Sequence, residues 1–139
     1  MNDRSPEAVI APMNFGSWLS VSLYAIACAL PAIAFTDNPI PGIFCLIAIP
    51  LVCVVPWWYA NPAFFLGFVM LRRGKVFAAA IWGTAAAIVG ASYAVMALGN
   101  TDMWHELRIG YWVWLLSLWT FAANACWAAW TRTHSDHPG

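Results

Sequence analysis

The chain has 139 residues, of which 63% are hydrophobic and 9% are charged, and its mean hydropathy is +0.70. A soluble domain of this size is roughly a quarter charged and buries only about two-thirds of its unfolded surface, so it has no room to hide this much apolar surface. The six basic and six acidic residues cancel and form no basic stripe, which excludes nucleic acid as a partner. The composition predicts an integral membrane protein.

The charged residues divide the chain into apolar segments. One membrane crossing needs roughly 20 apolar residues. The gaps between charged groups therefore predict spans over about 17–36, 56–71, 76–98 and 110–131, within a single transmembrane domain of residues 1–139. The predicted fold class is all-α: a polytopic helical bundle with four transmembrane helices and a proline-broken second segment.

The second segment, residues 42–71, is too long for one span. Its three prolines each remove a backbone donor and clash with the preceding turn. We predict a re-entrant or interfacial segment over 42–54 ahead of the span 56–71. The residues expected to break or kink the segment are Pro50, Pro56, Asn61 and Pro62. The alternative is one long, tilted, proline-kinked helix, with its kink at Asn61-Pro62 and the Asn61 amide bonding a carbonyl that the kink frees.

The basic residues predict the orientation of the chain. With four spans, five of the six share one side of the membrane with both termini, and only Arg108 lies on the other side. The five are Arg4, Arg72, Arg73, Lys75 and Arg132. Cytoplasmic loops carry the Lys/Arg excess, so both termini are predicted to lie in the cytoplasm.

Small residues repeat every four positions along the third span in two rows. The first row is Ala79, Gly83, Ala87 and Ala91, and the second is Ala86, Gly90 and Ala94. Such rows let helix backbones approach closely, which matters where lipid removes the hydrophobic drive between helices. The expected helix-packing interface comprises Ala79, Gly83, Ala87, Gly90, Ala91 and Ala94. It serves packing within the bundle or, on a spare face, contact with a second copy or another membrane protein.

Ten tryptophans are distributed along the chain, and aromatic belts at the two membrane interfaces account for eight of them. The inner belt is predicted to hold Trp18, Trp127 and Trp130. The outer belt is predicted to hold Trp57, Trp58, Trp104, Trp112 and Trp114. Trp82 and Trp119 lie deeper and are predicted to pack in the core; the alternative is a groove for a lipid, quinone or pigment.

No Asp, Glu, Lys, Arg or His falls within a predicted span. Proton-coupled transporters, voltage sensors and haem-carrying helix pairs need such a group. The sequence therefore predicts a non-enzymatic protein with no catalytic residue, no metal site and no cofactor. The four cysteines contain no Cys-x-x-Cys pair and are expected to behave as small hydrophobes. They are Cys28, Cys45, Cys53 and Cys126.

The segment between the third and fourth spans is the richest polar stretch and is predicted to lie outside the cell. Exposed loops carry function, so it is the expected site of partner contact. The candidate residues are Asp102, Trp104, His105, Glu106 and Arg108. The helical spacing of Asp102, His105 and Glu106 offers two metal ligands on one face. Two ligands from one turn do not make a metal site.

Two motifs resemble a set of uncharacterised small bacterial inner-membrane proteins. The first is Trp-Tyr-Ala-Asn-Pro at 58–62, followed by an apolar run that ends in Arg-Arg-Gly-Lys at 72–75. The second is Gly-Tyr-Trp-Val-Trp-Leu at 110–115. The resemblance covers roughly residues 55–120 and implies a bacterial inner-membrane setting.

These features together predict a non-enzymatic inner-membrane protein that acts through helix–helix contacts, as an accessory subunit or interaction partner of another membrane protein or of itself as a homo-oligomer. One alternative is an immunity protein against a membrane pore-forming toxin. Another is a carrier or binder of a lipid or small hydrophobe. The expected partners are membrane lipid and a membrane protein.

Overall fold

The computed structural model describes residues 14–35, 38–47 and 56–135, and these are mostly helical. The elements are α1 (Phe15–Ala29), β1 (Pro31–Phe35), β2 (Asn38–Pro41), α2 (Gly42–Ile47), a 3₁₀ turn (Pro56–Tyr59), α3 (Ala60–Arg72), α4 (Val76–Leu98), α5 (Thr101–Glu106) and α6 (Ile109–Ser135). Among the described residues one helix, α4, is long and apolar enough to cross a membrane, by length and composition. Its bounds coincide with the predicted segment 76–98.

The four longer helices pack against one another as a bundle. Helix α4 contacts both α3 and α6, and α6 also contacts α1. Helices α1 and α3 meet where the rings of Tyr24 and Phe64 stack with their centroids 4.8 Å apart. These two rings join Leu118 and Phe121 of α6 in the main buried cluster. The core therefore draws on all four helices.

Helix α1 is bounded by a capping asparagine and by a proline. The side chain of Asn14 accepts a hydrogen bond from the backbone N–H of Ser17 at 3.0 Å, which satisfies a donor in the first turn. At the other end Leu30 is extended, with φ −88° and ψ 154°, because a residue before proline avoids the helical region. The sequence predicted a helical span to about residue 36; the helix ends at Ala29 instead.

A short β-hairpin follows α1. Strands β1 and β2 pair antiparallel, with Ile33 opposite Ile40. Ile33 also forms a bridge with Leu107, and the backbone N–H of Arg108 donates to the carbonyl of Ala32 at 3.1 Å. The all-α prediction is wrong in this stretch, because its three prolines prevent a helix and leave an extended chain that pairs with itself.

The second apolar segment is divided. Helix α2 ends at Ile47 and packs against α1 and β1, while α3 begins at Ala60 after the 3₁₀ turn. One continuous α-helix over 42–71 is therefore not formed. Pro50 and the rest of residues 48–55 lie outside the described residues, so the re-entrant path of this segment stays a prediction.

The turn between α3 and α4 is built on a glycine. Gly74 has φ +72°, a left-handed conformation that a residue without Cβ adopts easily. Its N–H donates to the carbonyl of Leu71 at 3.0 Å, and the N–H of Lys75 donates to the carbonyl of Met70 at 2.9 Å. This Schellman motif satisfies the last carbonyls of α3 and reverses the chain into α4.

The bundle has a basic end and a hairpin end. The basic end carries the α3–α4 turn and the C-terminal part of α6, which meet where Nη1 of Arg132 donates to the carbonyl of Gly74 at 2.8 Å. The hairpin end carries β1, β2, α5 and the start of α6.

Candidate functional site

Helix α4 presents its small residues to the protein and its large residues to the outside. Its buried residues are Ala79, Gly83, Ala86, Ala87, Gly90, Tyr93 and Ala97. Its exposed large residues, between 40% and 72% exposed, are Phe77, Ile81, Trp82, Ile88, Val95, Met96 and Leu98. A helix on the surface of a soluble protein buries its large apolar side chains. The pattern on α4 is the reverse of that arrangement.

The predicted helix-packing residues lie on the inner face of α4. Four of them are buried and two are half-buried. The buried ones are Ala79, Gly83, Ala87 and Gly90, and the half-buried ones are Ala91 and Ala94. A Cβ atom added at Gly83 would lie 2.9 Å from a ring carbon of Phe121 and 3.3 Å from the Cα of Ala122. Helix α6 thus lies so close to α4 at Gly83 that there is no room for a side chain larger than the hydrogen atom of glycine.

Both small-residue rows are occupied by helices of the same chain. A Cβ at Gly67 of α3 would lie 3.3 Å from the backbone nitrogen of Gly83, and a Cβ at Gly90 would lie 2.7 Å from a methyl of Leu118. The buried residues of these rows therefore pack α3 and α6 onto α4. The large exposed side chains, with the half-buried Ala91 among them, form the face of α4 that is available to another protein.

A buried polar node joins three helices. The Tyr24 hydroxyl of α1 donates to Oδ1 of Asn61 at 2.7 Å, and the Trp114 indole N–H of α6 donates to the same oxygen at 3.0 Å. Asn61 is 7% exposed. An amide oxygen has two lone pairs, so both donors are satisfied by one side chain. The two bonds shown for Asn61 run to other helices, whereas the tilted-helix alternative expected a bond to a carbonyl freed at the kink.

A second tyrosine inserts into the backbone of α4. The Tyr111 hydroxyl donates to the carbonyl of Gly90 at 2.8 Å and accepts from the N–H of Ala94 at 3.1 Å. These two backbone groups are four residues apart, the spacing of a helical hydrogen bond. The hydroxyl thus ties the start of α6 to the middle of α4 through a polar bridge within an apolar contact.

A third polar contact fastens the beginning of α1 to α6. The amide of Asn14 donates to Oδ1 of Asn124 at 2.9 Å, and the amide of Asn124 donates to the Ser17 hydroxyl at 3.1 Å. One turn further along, the Ser20 hydroxyl donates to the carbonyl of Ser117 at 2.9 Å. Asn124 thus joins α6 to the start of α1 through two side-chain hydrogen bonds.

Of the predicted kink residues, the three that the structure describes do not form a kink within a helix. Pro56 is exposed in the 3₁₀ turn, and Pro62 is exposed in the first turn of α3. A proline in a first turn lacks only an N–H that would have no partner in the helix. Pro62 therefore marks the start of α3, and Asn61 beside it serves the polar node.

The predicted partner loop forms α5 and the residues after it, at the hairpin end. Trp104, His105 and Arg108 are exposed, and Glu106 is half-buried. The side chain of Asp102 lies outside the described residues. Trp104 packs edge-on against Trp112, with ring centroids 5.5 Å apart. Within ranges 14–35, 38–47 and 56–135 no three His, Cys, Asp or Glu side chains come together as a metal site.

Several tryptophans lie elsewhere than predicted. Trp82 and Trp119, expected in the core, are 40% and 48% exposed. Trp57 and Trp114, expected in the outer belt, pack against the buried clusters. The rings of Trp57 and Tyr93 pack at a tilt of 38° with their centroids 4.3 Å apart. The core assignment of Trp82 and Trp119 was wrong because it used depth along the helix and ignored which face each ring occupies. The belt positions of Trp57 and Trp114 stay predictions.

Sequence patterns did not point to Tyr24 or to the inward position of Trp114. A signal for Trp114 is present in the spacing of α6: Tyr111, Leu118 and Ala125 recur every seven residues and are all buried. Trp114 lies three residues after Tyr111 and therefore on the same face. Nothing comparable marks Tyr24, which is one polar residue on an apolar helix.

The two described cysteines, Cys28 and Cys126, are free. Cys28 is half-buried against the main cluster, and Cys126 is exposed with its sulfur 3.7 Å from the Thr84 hydroxyl. The side chains of Cys45 and Cys53 lie outside the described residues.

No family model, curated protein or solved structure matches this chain.

Proposed function

We propose that the chain is a multi-pass protein of the bacterial inner membrane, with four membrane-crossing segments and both termini in the cytoplasm. The observation that carries this proposal is the arrangement of α4, where alanine and glycine face the protein and large apolar side chains face outward. In water, a fold that leaves these side chains exposed would forgo the roughly 1.5–3 kcal/mol that the burial of each one contributes. In a bilayer the same surface meets lipid tails, and close packing of small residues holds the helices together.

The other helices support the same environment. Exposed apolar or aromatic side chains also cover the outer faces of α1, α3 and α6. They include Phe15, Trp18, Leu19, Ile26, Phe65, Leu66, Val69, Leu116, Trp119, Trp127 and Trp130. Contiguous apolar surface of this extent is rare on soluble monomers. With 27 residues α6 is roughly 40 Å long, which exceeds a hydrocarbon core of about 30 Å.

The orientation rests on the basic residues. The hydrogen bond from Arg132 to Gly74 supports a common side for the α3–α4 turn and the C-terminal part of α6. Counting Arg4 with the termini, five of six basic residues then share that side. The positive-inside rule assigns it to the cytoplasm.

Within this setting we propose a non-enzymatic role through contacts with another membrane protein or a second copy. The two small-residue rows are occupied within the chain, so the contact surface is the large apolar face of α4 and α6. A shallow groove lies on this face, lined by Ile88, Ala91, Ser92, Val95, Met96 and Trp119. The acidic, basic and histidine side chains lie outside the predicted spans, which supports a role without acid–base catalysis.

The proposal has two separate tests. After alkaline carbonate extraction of membranes, the chain is expected to stay in the pellet, and release into the supernatant would refute membrane insertion. A photo-crosslinking amino acid at Ile88 or Val95, in intact membranes, is expected to give a protein adduct. A shift of one chain mass, 15.3 kDa, indicates a second copy and any other mass indicates a partner. Adducts with lipid alone would refute the contact role.

A further inference from the structure

Four basic side chains are concentrated at one end of the bundle. Arg72, Arg73 and Lys75 surround the α3–α4 turn, and Arg132 extends from α6. The bond from Arg132 to the carbonyl of Gly74 holds its guanidinium against that turn, 2.8 Å from the oxygen. Four of the six basic residues of the chain thus lie at the basic end, where the α3–α4 turn touches the C-terminal part of α6.

This positive charge has no counter-charge among the described residues. The acidic residues within ranges 14–35, 38–47 and 56–135 are Asp102 and Glu106, both in α5 at the hairpin end. Helix α4 separates the two ends by its 23 residues, or roughly 35 Å. At that distance their charges are screened from the basic end, because the Debye length is about 8 Å at physiological ionic strength.

Exposed aromatic side chains lie on the same helices within one or two turns of the basic residues. Trp127 and Trp130 of α6 are 64% and 54% exposed, with ring centroids 5.4 Å apart. Phe77 is exposed in the first turn of α4, where no acidic residue and no capping side chain occupies the helix start. The surface therefore changes from cationic to apolar aromatic within one or two helical turns. That sequence of surfaces matches a lipid headgroup followed by its acyl chains.

We infer that the basic end binds the phosphate of an anionic phospholipid, with Arg73, Lys75 and Arg132 facing the headgroup and the chains lying along Trp127 and Phe77. Basic clusters between helix ends on the cytoplasmic side of a membrane recognise such headgroups. The inference depends on the proposed insertion in the membrane. It goes further by naming the lipid class and the residues that select it.

The test measures lipid binding by the purified full chain in neutral detergent, using native mass spectrometry with phosphatidylglycerol or phosphatidylcholine. The wild type is expected to bind phosphatidylglycerol at least about tenfold more tightly, and added salt is expected to reduce this preference. A basic residue near an anionic surface contributes about fivefold in affinity, so the double variant Arg73→Gln/Lys75→Gln should lose roughly 25-fold. Arg132→Gln should lose about fivefold or more, and the control Arg108→Gln, at the hairpin end, should remain within about twofold.

Three results would overturn the inference. Equal binding of the two lipids would show that the headgroup charge is not recognised. Equal loss in Arg108→Gln would show a response to total charge and not to this cluster. Competition by millimolar inorganic phosphate would show a site for a free anion. Carbonate extraction of the same protein separates the two proposals: a chain that stays in the membrane without lipid preference contradicts only this inference, and a chain that is released contradicts the proposed function as well.

Discussion

Replacing Asn61 with leucine should destabilise the bundle more than any other loss of one polar side chain. The substitution nearly preserves volume but removes the oxygen that accepts from both Tyr24 and Trp114. An unsatisfied buried donor costs about 1–3 kcal/mol, whereas hydrogen bonds between membrane helices average about 0.6 kcal/mol because the separated helices also find partners. Because two donors lose their acceptor and the low value for membrane helices reduces the cost of each, the expected loss in unfolding free energy is roughly 2–4 kcal/mol. Unfolding in mixed detergent–SDS micelles, followed by circular dichroism, measures it.

Tyr24→Phe provides the matched comparison. It removes one donor and leaves Asn61 bonded to Trp114, so its expected cost is only about 0.5–1.5 kcal/mol. The double variant Tyr24→Phe/Asn61→Leu should be less destabilised than the sum of the single variants, because one of the orphaned donors is gone. Strict additivity, or equal losses for the two single variants, would refute the view that Asn61 acts as a shared acceptor.

Three further substitutions test other contacts. Gly83→Leu places a branched side chain against the buried Phe121 ring and should cost about 1–3 kcal/mol, seen as a lower melting temperature in detergent. The control Ile81→Leu, on the exposed face and outside the groove, should leave that temperature unchanged. In Gly74→Ala the new methyl group meets open space, but the residue must hold φ +72°, so the substitution should lower the free energy of unfolding by about 1 kcal/mol. The control Gly99→Ala should lower it by less, and equal effects would refute the argument from backbone conformation. Tyr111→Phe should cost less than about 1.5 kcal/mol in the same unfolding assay, because the two backbone groups that its hydroxyl bridges can bond each other; a larger loss would contradict this.

The sequence predicted helices best where charged residues delimit a long apolar run. The residues 72–75 and 102–108 bracket the third segment, and α4 has the predicted bounds. The helical turn after α3 follows from Gly74 and its basic neighbours. Prolines limited the prediction elsewhere: the predicted first span ran to about residue 36 through Pro31, where the chain instead forms a hairpin. The bridge from this hairpin to Leu107 and Arg108 joins residues far apart in the sequence, which only tertiary packing brings together.

The candidate site was less predictable because it depends on which helix face meets which. Small residues on α4 were recognisable by spacing, yet spacing alone does not tell a contact within the chain from a contact between chains. Asn61 stood out as a polar residue beside proline, but its donors come from α1 and α6, which only tertiary packing brings together. The predicted core positions of Trp82 and Trp119 were wrong for a related reason, since an indole suits an interface, a core or a lipid-facing surface equally well.

The most direct test of a membrane-crossing bundle is whether the two ends of α4 lie on opposite sides of the membrane. The four native cysteines are replaced by alanine, and a single cysteine is then placed in the full chain at Lys75 or at Gly99, both exposed and flanking α4. A membrane-impermeant maleimide is applied to spheroplasts and, separately, to lysed cells. The Gly99→Cys variant should be labelled in both, and the Lys75→Cys variant only after lysis. Labelling of both positions in intact spheroplasts, or labelling of Lys75→Cys alone, would contradict the proposed crossing and its orientation.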